Sequence, residues 1–180
     1  MRPILDNDSS FIAMKFFERN AVVDEMQAAM DQNLPAAEAI QLQVTVAWYL
    51  RQRNSRKAFQ LISKARESLQ NAEIEPGLKG ALQARMLLIE AETQSLQANF
   101  TAALAGTNAA HEVFESLGDD VGCADAMVTQ AAIYASLGKP SQRNECTDAA
   151  LKFARSAQDQ ARIDHWEGYQ ARLAAMGDPK

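Results

Sequence analysis

Apolar residues recur at three- and four-residue spacing through most of this chain, and short polar or Gly/Pro-containing clusters interrupt them. That rhythm predicts helices. From Phe11 the residues Phe11, Met14 and Phe17 share one face, and Ala21, Val22, Met26 and Met30 continue it beyond a polar break at Arg19-Asn20. The segment reads as one long helix or two short ones, preceded by an irregular end over residues 1–9 that Ser9 or Ser10 closes as a cap. Asn33-Leu34-Pro35 is a helix start, since proline in the first turn loses no hydrogen bond, and the helix it opens should reach about Gln52. Within it, Val44, Val46, Trp48 and Leu50 alternate as a strand would. Helix is preferred because no turn residues bound the run and no second strand is available to pair with it.

After the polar break from Arg51 to Lys57, Ala58, Ile62, Ala65 and Leu69 mark the face of the next helix, and residues 70–77 form a connecting turn. Pro76-Gly77 opens the most apolar helix of the chain. Leu78, Leu82, Met86, Leu87, Leu88, Ile89 and Ala91 surround most of it, which predicts neighbours on more than one side. Its partner carries Ala103, Ala110, Phe114 and Leu117, and Leu117-Gly118-Asp119-Asp120 supplies a terminating glycine followed by a capping aspartate. A further pair follows, with Ala124, Val128, Ala131, Tyr134 and Ala135 before the turn Leu137-Gly138-Lys139-Pro140, and Cys146, Ala150, Phe153 and Ala157 after it. A last helix from about Asp159 carries Ile163, Trp166, Tyr169, Leu173 and Met176, and Gly177-Asp178-Pro179 stops it.

The chain is therefore all-α, one domain of about three helical hairpins (36–75, 76–118 and 119–158) between an N-terminal helical segment (1–34) and a C-terminal helix (159–177). Composition agrees, because 8 Gly and 5 Pro in 180 residues leave little for the turns of a β protein. Aligning the three intra-hairpin turns makes Tyr49, Thr93 and Tyr134 equivalent, with successive spacings of 44 and 41 in the numbering. Hairpins at a near-fixed period that cannot bury their faces alone indicate a stacked α-solenoid.

The segment AAIYASLGKPSQ, with small residues before a tyrosine and a Leu-Gly turn four residues later, resembles the first helix and turn of a tetratricopeptide repeat. QSLQANFTAAL resembles the same turn, with Phe100 and Ala103 matching the start of the family's second helix, and Ala58, Ala110 and Ala150 matching other small-residue positions. The resemblance covers residues 36–176. It departs at Arg53 and Gln97, which replace the turn glycine, at Thr93, which replaces the tyrosine, and in the missing terminal prolines. Its period is also longer than the family's usual one of about 34 residues. Such longer repeats are similar to those in regulatory parts of bacterial signalling proteins, including regions preceding diguanylate cyclases and some transcription activators. The resemblance implies a right-handed superhelix that binds a protein or peptide partner.

Net charge −5 argues against a nucleic-acid surface, which needs clustered Lys and Arg to neutralise phosphates. No apolar run reaches the roughly 20 residues that cross a bilayer, and the acidic start lacks a secretory pattern, so no membrane role and a cytoplasmic location are expected. Cys123 and Cys146 lack metal-ligand spacing. No nucleophile elbow or phosphate loop is present, His111 and His165 read as surface or helix-end residues, and Glu90 and Glu92 face different sides of a helix. The expectation is a non-enzyme without metal or cofactor.

Three groups of residues are candidates for an interaction surface. The basic cluster Arg51, Arg53, Arg56 and Lys57 reads as a solvated turn or as a dock for an acidic partner. Gln43, Gln94, Gln130 and Ser136 read as simple exposed polar positions or as the lining of a concave groove. Trp166 and Tyr169, with Leu173 and Met176, either pack back on the third hairpin or continue into another domain or a second copy, as in a homodimer through the C-terminal helix. An interaction module is the leading expectation. A ligand-sensing regulatory domain and a purely oligomeric module are the alternatives.

Overall fold

The computed structural model describes Glu18 and residues 20–175. The expected helical face at Phe11, Met14 and Phe17, the irregular start and its serine cap, Met176 and the stop at residues 177–179 lie outside them. Eight helices fill the described residues, with no strand among them: α1 (Asn20–Ala29), α2 (Ala36–Leu50), α3 (Ser55–Asn71), α4 (Pro76–Leu96), α5 (Phe100–Leu117), α6 (Asp120–Ser136), α7 (Pro140–Ser156) and α8 (Gln160–Ala175). Neighbours in sequence pack as neighbours in space, α2 on α3, α4 on α5 and α6 on α7, and the first helices of successive pairs also meet, α2 with α4 and α4 with α6.

The ambiguous Val44–Leu50 run is helical, and burial explains why its pattern misled. Every residue from Leu42 to Tyr49 is buried, so α2 has no solvent face to impose a 3.6-residue alternation. Its start lacks a side-chain cap from Asn33; Pro35 occupies the cap position, and α2 ends at Leu50, short of Gln52. In α3 the expected face holds, with Ala58, Ile62, Ala65 and Leu69 all buried. Central α4 touches α2, α3, α5 and α6, and Leu82, Leu88 and Ile89 within it are wholly buried. Its apolar character on several sides follows from that position. Ala58, Ala110 and Ala150 have no exposed surface, as close helix approach requires.

Four turns share one construction. Ala98, Gly118, Gly138 and Gln158 take left-handed conformations with φ of 59°, 68°, 65° and 55°, evenly spaced along the chain. At each, the following amide bonds back to the carbonyl five residues earlier: Asn99 to Gln94, Asp119 to Phe114, Lys139 to Tyr134 and Asp159 to Ala154, at 2.9 to 3.0 Å. A hairpin therefore repeats at a constant period of forty from α4 onward, Ala98 to Gly138 within pairs and Gly118 to Gln158 between them. Ala98, rather than Gln97, is the counterpart of Gly138, and this corrects the spacing of 41 between Thr93 and Tyr134. The first turn, residues 51–54, has no left-handed residue and is built differently. Asn54 caps α3 there by accepting from the Lys57 amide at 3.0 Å.

The same period is visible in side chains. Asp119 and Asp159 cap α6 and α8 by accepting from the Gly122 and Arg162 amides at 2.8 and 3.0 Å. Gln130 donates to Asn108 at 2.6 Å, tying α6 to α5, and Gln170 donates to Asp148 at 2.6 Å, tying α8 to α7 in the same way. At the α5–α6 corner a methyl on Gly122 would lie 2.3 Å from the Phe114 ring, so only glycine lets that fully buried ring close the corner.

Candidate functional site

The basic turn divides once its partners are seen. The Arg51 guanidinium lies over the Trp48 ring at 3.5 Å, bonds the Trp48 carbonyl and pairs with Glu92 at 2.9 Å. Arg53 donates to the Tyr49 carbonyl at 3.1 Å and to Asn20 of α1. The Lys57 ammonium bonds Gln27 of α1. Arg51 ties the end of α2 to α4, Arg53 ties it to α1, and Lys57 ties α3 to α1. Arg56 is exposed and has no hydrogen bond or ion pair among the described residues. Helix capping explains the difference, because Asn54 starts α3 at Ser55 and the helical twist then points positions 56 and 57 to different neighbours.

Arg56 lines a groove of about 450 Å³ between α3 and the end of α4, with Ser55, Phe59, Gln60, Thr93 and Gln94. Phe59 is 45% exposed and is one of two large apolar side chains so exposed among the described residues. Gln94 is half-buried and accepts from Asn99 at 2.9 Å. Thus the structure brings Arg56 and Gln94, from two separate candidate groups, to one surface. Phe59 was missed. Its position off the apolar face of α3 was the available signal, since Ala58, Ile62, Ala65 and Leu69 leave it pointing to solvent.

The other candidates lie elsewhere. Gln43 and Gln130 are each only 7% exposed, inside the enclosed helices α2 and α6, rather than on an open concave face. Ser136 is exposed and bonds its own helix at the Ala132 carbonyl. Trp166 is 8% exposed, with Tyr169 edge-on at 5.7 Å and His165 at 4.6 Å, so this part of the C-terminal stripe packs within the chain. Glu90 and Glu92 do face different sides, the first pairing with Arg66 at 2.7 Å and the second with Arg51.

A buried ionic chain that no sequence motif announces runs between the first helices. Asp125 of α6, 2% exposed, accepts from Arg85 of α4 at 2.6 Å and from two nitrogens of Arg162 of α8 at 2.9 and 3.1 Å. Arg162 also pairs with Asp159. The Arg85 guanidinium stands 4.7 Å from the Trp48 ring centre and 4.9 Å from that of Phe114. Burial alone would raise the Asp125 pKa, but Arg85 and Arg162 hold it below the usual carboxylate range. Asp119 goes the other way, pushed up by burial against the smaller pull of Arg85. Burial pushes the Cys123 thiol up to about 12, with Asp119 adding to it, and Cys146 to about 11, so both are neutral thiols at physiological pH.

Among the described residues no group of three or more His, Cys, Asp or Glu could hold a metal ion, and no helix is long and apolar enough to cross a membrane. Comparison with protein-family models, with curated proteins and with solved structures returns no match for the chain.

Proposed function

We propose that this protein is a non-enzymatic interaction module resembling a tetratricopeptide repeat, acting as a regulatory or scaffold element of a bacterial signalling protein in the cytoplasm. It holds an acidic, partly apolar peptide segment of its partner in the groove between α3 and α4. The pairing of α2–α3, α4–α5 and α6–α7, with contacts between successive first helices, supports the repeat reading.

One observation carries the choice of surface. An unpaired arginine and a 45% exposed phenylalanine line the same groove, on a chain whose other turn cations are engaged. A carboxylate meeting Arg56 gains a charge-assisted hydrogen bond, and an apolar side chain on Phe59 removes exposed ring surface from water. Both groups stand on rigid helices, so little ordering cost falls on the protein. The reading is tested by selecting peptides from a random display library on the intact chain. Enriched peptides should combine Asp or Glu with an aromatic or aliphatic residue, and should bind Arg56→Glu or Phe59→Ser protein at least tenfold more weakly. Enriched peptides that bind both variants as well as the parent would overturn it.

A further inference from the structure

A second groove, of about 780 Å³, lies between α7 and α8 and is floored by Asn144, Thr147, Asp148, Gln170 and Ala171. One period earlier in the chain stand Leu104, Thr107, Asn108, Gln130 and Ala131, on α5 and α6. The two floors are tied by the same polar clasp, Gln170 to Asp148 in one and Gln130 to Asn108 in the other, both at 2.6 Å. The α5/α6 floor is occupied. Helix α7 packs on α6, with the Cys146 sulfur 3.6 Å from Gln130 and the Phe153 ring 5.6 Å from the His111 ring of α5. Under it Ala131 and Ile133 are 5% and 0% exposed. On α8 their counterparts Ala171 and Leu173 are exposed and half-buried, and among the described residues no helix follows to cover them.

The geometry points to the α7/α8 groove as the acceptor for a basic amphipathic helix of another protein, seated as α7 sits on α5 and α6. What such a helix must present can be read from the two helices that fill this role internally. Gly106, Thr107 and Ala110 of α5 correspond to Cys146, Thr147 and Ala150 of α7, a set of small residues within one turn that lets the backbones approach. Within α5 this already brings Gly106 to 3.4 Å of Ala91, measured from the position a β-carbon would take.

Charge selects a basic occupant over a second copy. Where the period-matched positions are Ala105, Asn108, Glu115 and Met127, the open groove has Glu145, Asp148, Arg155 and Glu167. Of its three carboxylates only Glu167 has an ion pair among the described residues, with Arg155 at 2.8 Å, which leaves Glu145 and Asp148 to meet a cation. Another copy of this chain would bring a net charge of −5 to that surface, and its own α8 carries Asp164 and Glu167. Lysines or arginines flanking the small residues would meet Glu145 and Asp148 instead.

The test uses the intact chain and two labelled synthetic helices copying residues 140–156 with Cys146→Ala, one unchanged otherwise and one carrying Gln142→Lys and Ala149→Lys, positions that are half-buried beside the packed face of α7. By fluorescence anisotropy the lysine-bearing peptide should bind saturably, with Kd on the order of 10–100 μM, and at least tenfold more tightly than the otherwise unchanged one. Ala171→Arg in the protein, at an exposed position where the fold should persist by circular dichroism, should abolish that binding. No saturation below about 1 mM, or equal binding to the Ala171→Arg protein, would overturn the proposal. So would a parent chain that is dimeric by light scattering and becomes monomeric on Ala171→Arg, since the occupant would then be a second copy. Because Arg56 and Phe59 lie on α3, their variants should leave this binding unchanged, which separates it from the α3/α4 groove.

Discussion

Asp125 is the residue on which most depends, because it accepts from both Arg85 of α4 and Arg162 of α8. Replacing it with Asn leaves two guanidiniums buried with one fewer charge between them, a type of change that costs about 3–5 kcal/mol. The expected result is a lower chemical-denaturation midpoint with an unchanged slope. Asp119→Asn should do the opposite, keeping or raising the midpoint at neutral pH, since asparagine caps a helix as well as aspartate and the raised pKa shows that the charged form is disfavoured there. The pH dependence follows from the same two shifts. The folded-state pKa of Asp125 is depressed, so its contribution is present above the unfolded value near pH 4 and is lost as pH falls through the folded value. Asp119 is raised, so its contribution is present below about pH 4 and lost as pH rises through its folded value. In melting curves from acid to neutral pH, Asp125→Asn should therefore flatten the acid limb, and Asp119→Asn should not. None of this was legible in the sequence. Arg85 sits between Ala84 and Met86, and Asp125 between Ala124 and Ala126, so a charge inside an apolar stretch was visible, but its partners stand far off in the chain on other helices.

At the level of the helices and their turns, the sequence told more. Apolar spacing located the hairpin helices, and Gly118 and Gly138 marked two of the four left-handed turns. The left-handed residues of the other two were not marked, because Ala98 and Gln158 occupy a conformation that glycine normally takes, and this turned the period of forty into a spacing of 41 between Thr93 and Tyr134. Each non-glycine residue held there costs about 1 kcal/mol. Ala98→Gly and Gln158→Gly should therefore each stabilise the chain by about 0.5–1 kcal/mol in urea denaturation, and Gly118→Ala or Gly138→Ala should destabilise it by about 1 kcal/mol. Stabilisation at 118 by alanine would contradict the turn geometry. The strand-like run in α2 teaches a related lesson, since a helix enclosed on all sides loses the polar stripe from which helical periodicity is read.

Taken whole, the molecule uses its acidic surface and its few free cations unevenly. Most of the basic turn is engaged in fastening α1, α2, α3 and α4, and Trp166, which the sequence left either to pack back on the third hairpin or to reach a partner, is buried within the chain. Trp166→Ala would consequently report on folding before it reported on binding, lowering stability by about 3–5 kcal/mol as for other buried aromatic truncations. Sequence located the basic turn and Gln94 but could not tell which of its cations is free, because that depends on contacts with Asn20, Gln27 and Glu92, which belong to other helices. The claim that remains is that Arg56 beside Phe59 reads an acidic segment. It is tested most directly by repeating the peptide selection on the Arg56→Glu protein: the enriched peptides should switch from acidic to basic while keeping their apolar residue, and recovery of the same acidic peptides would contradict the assignment of this groove.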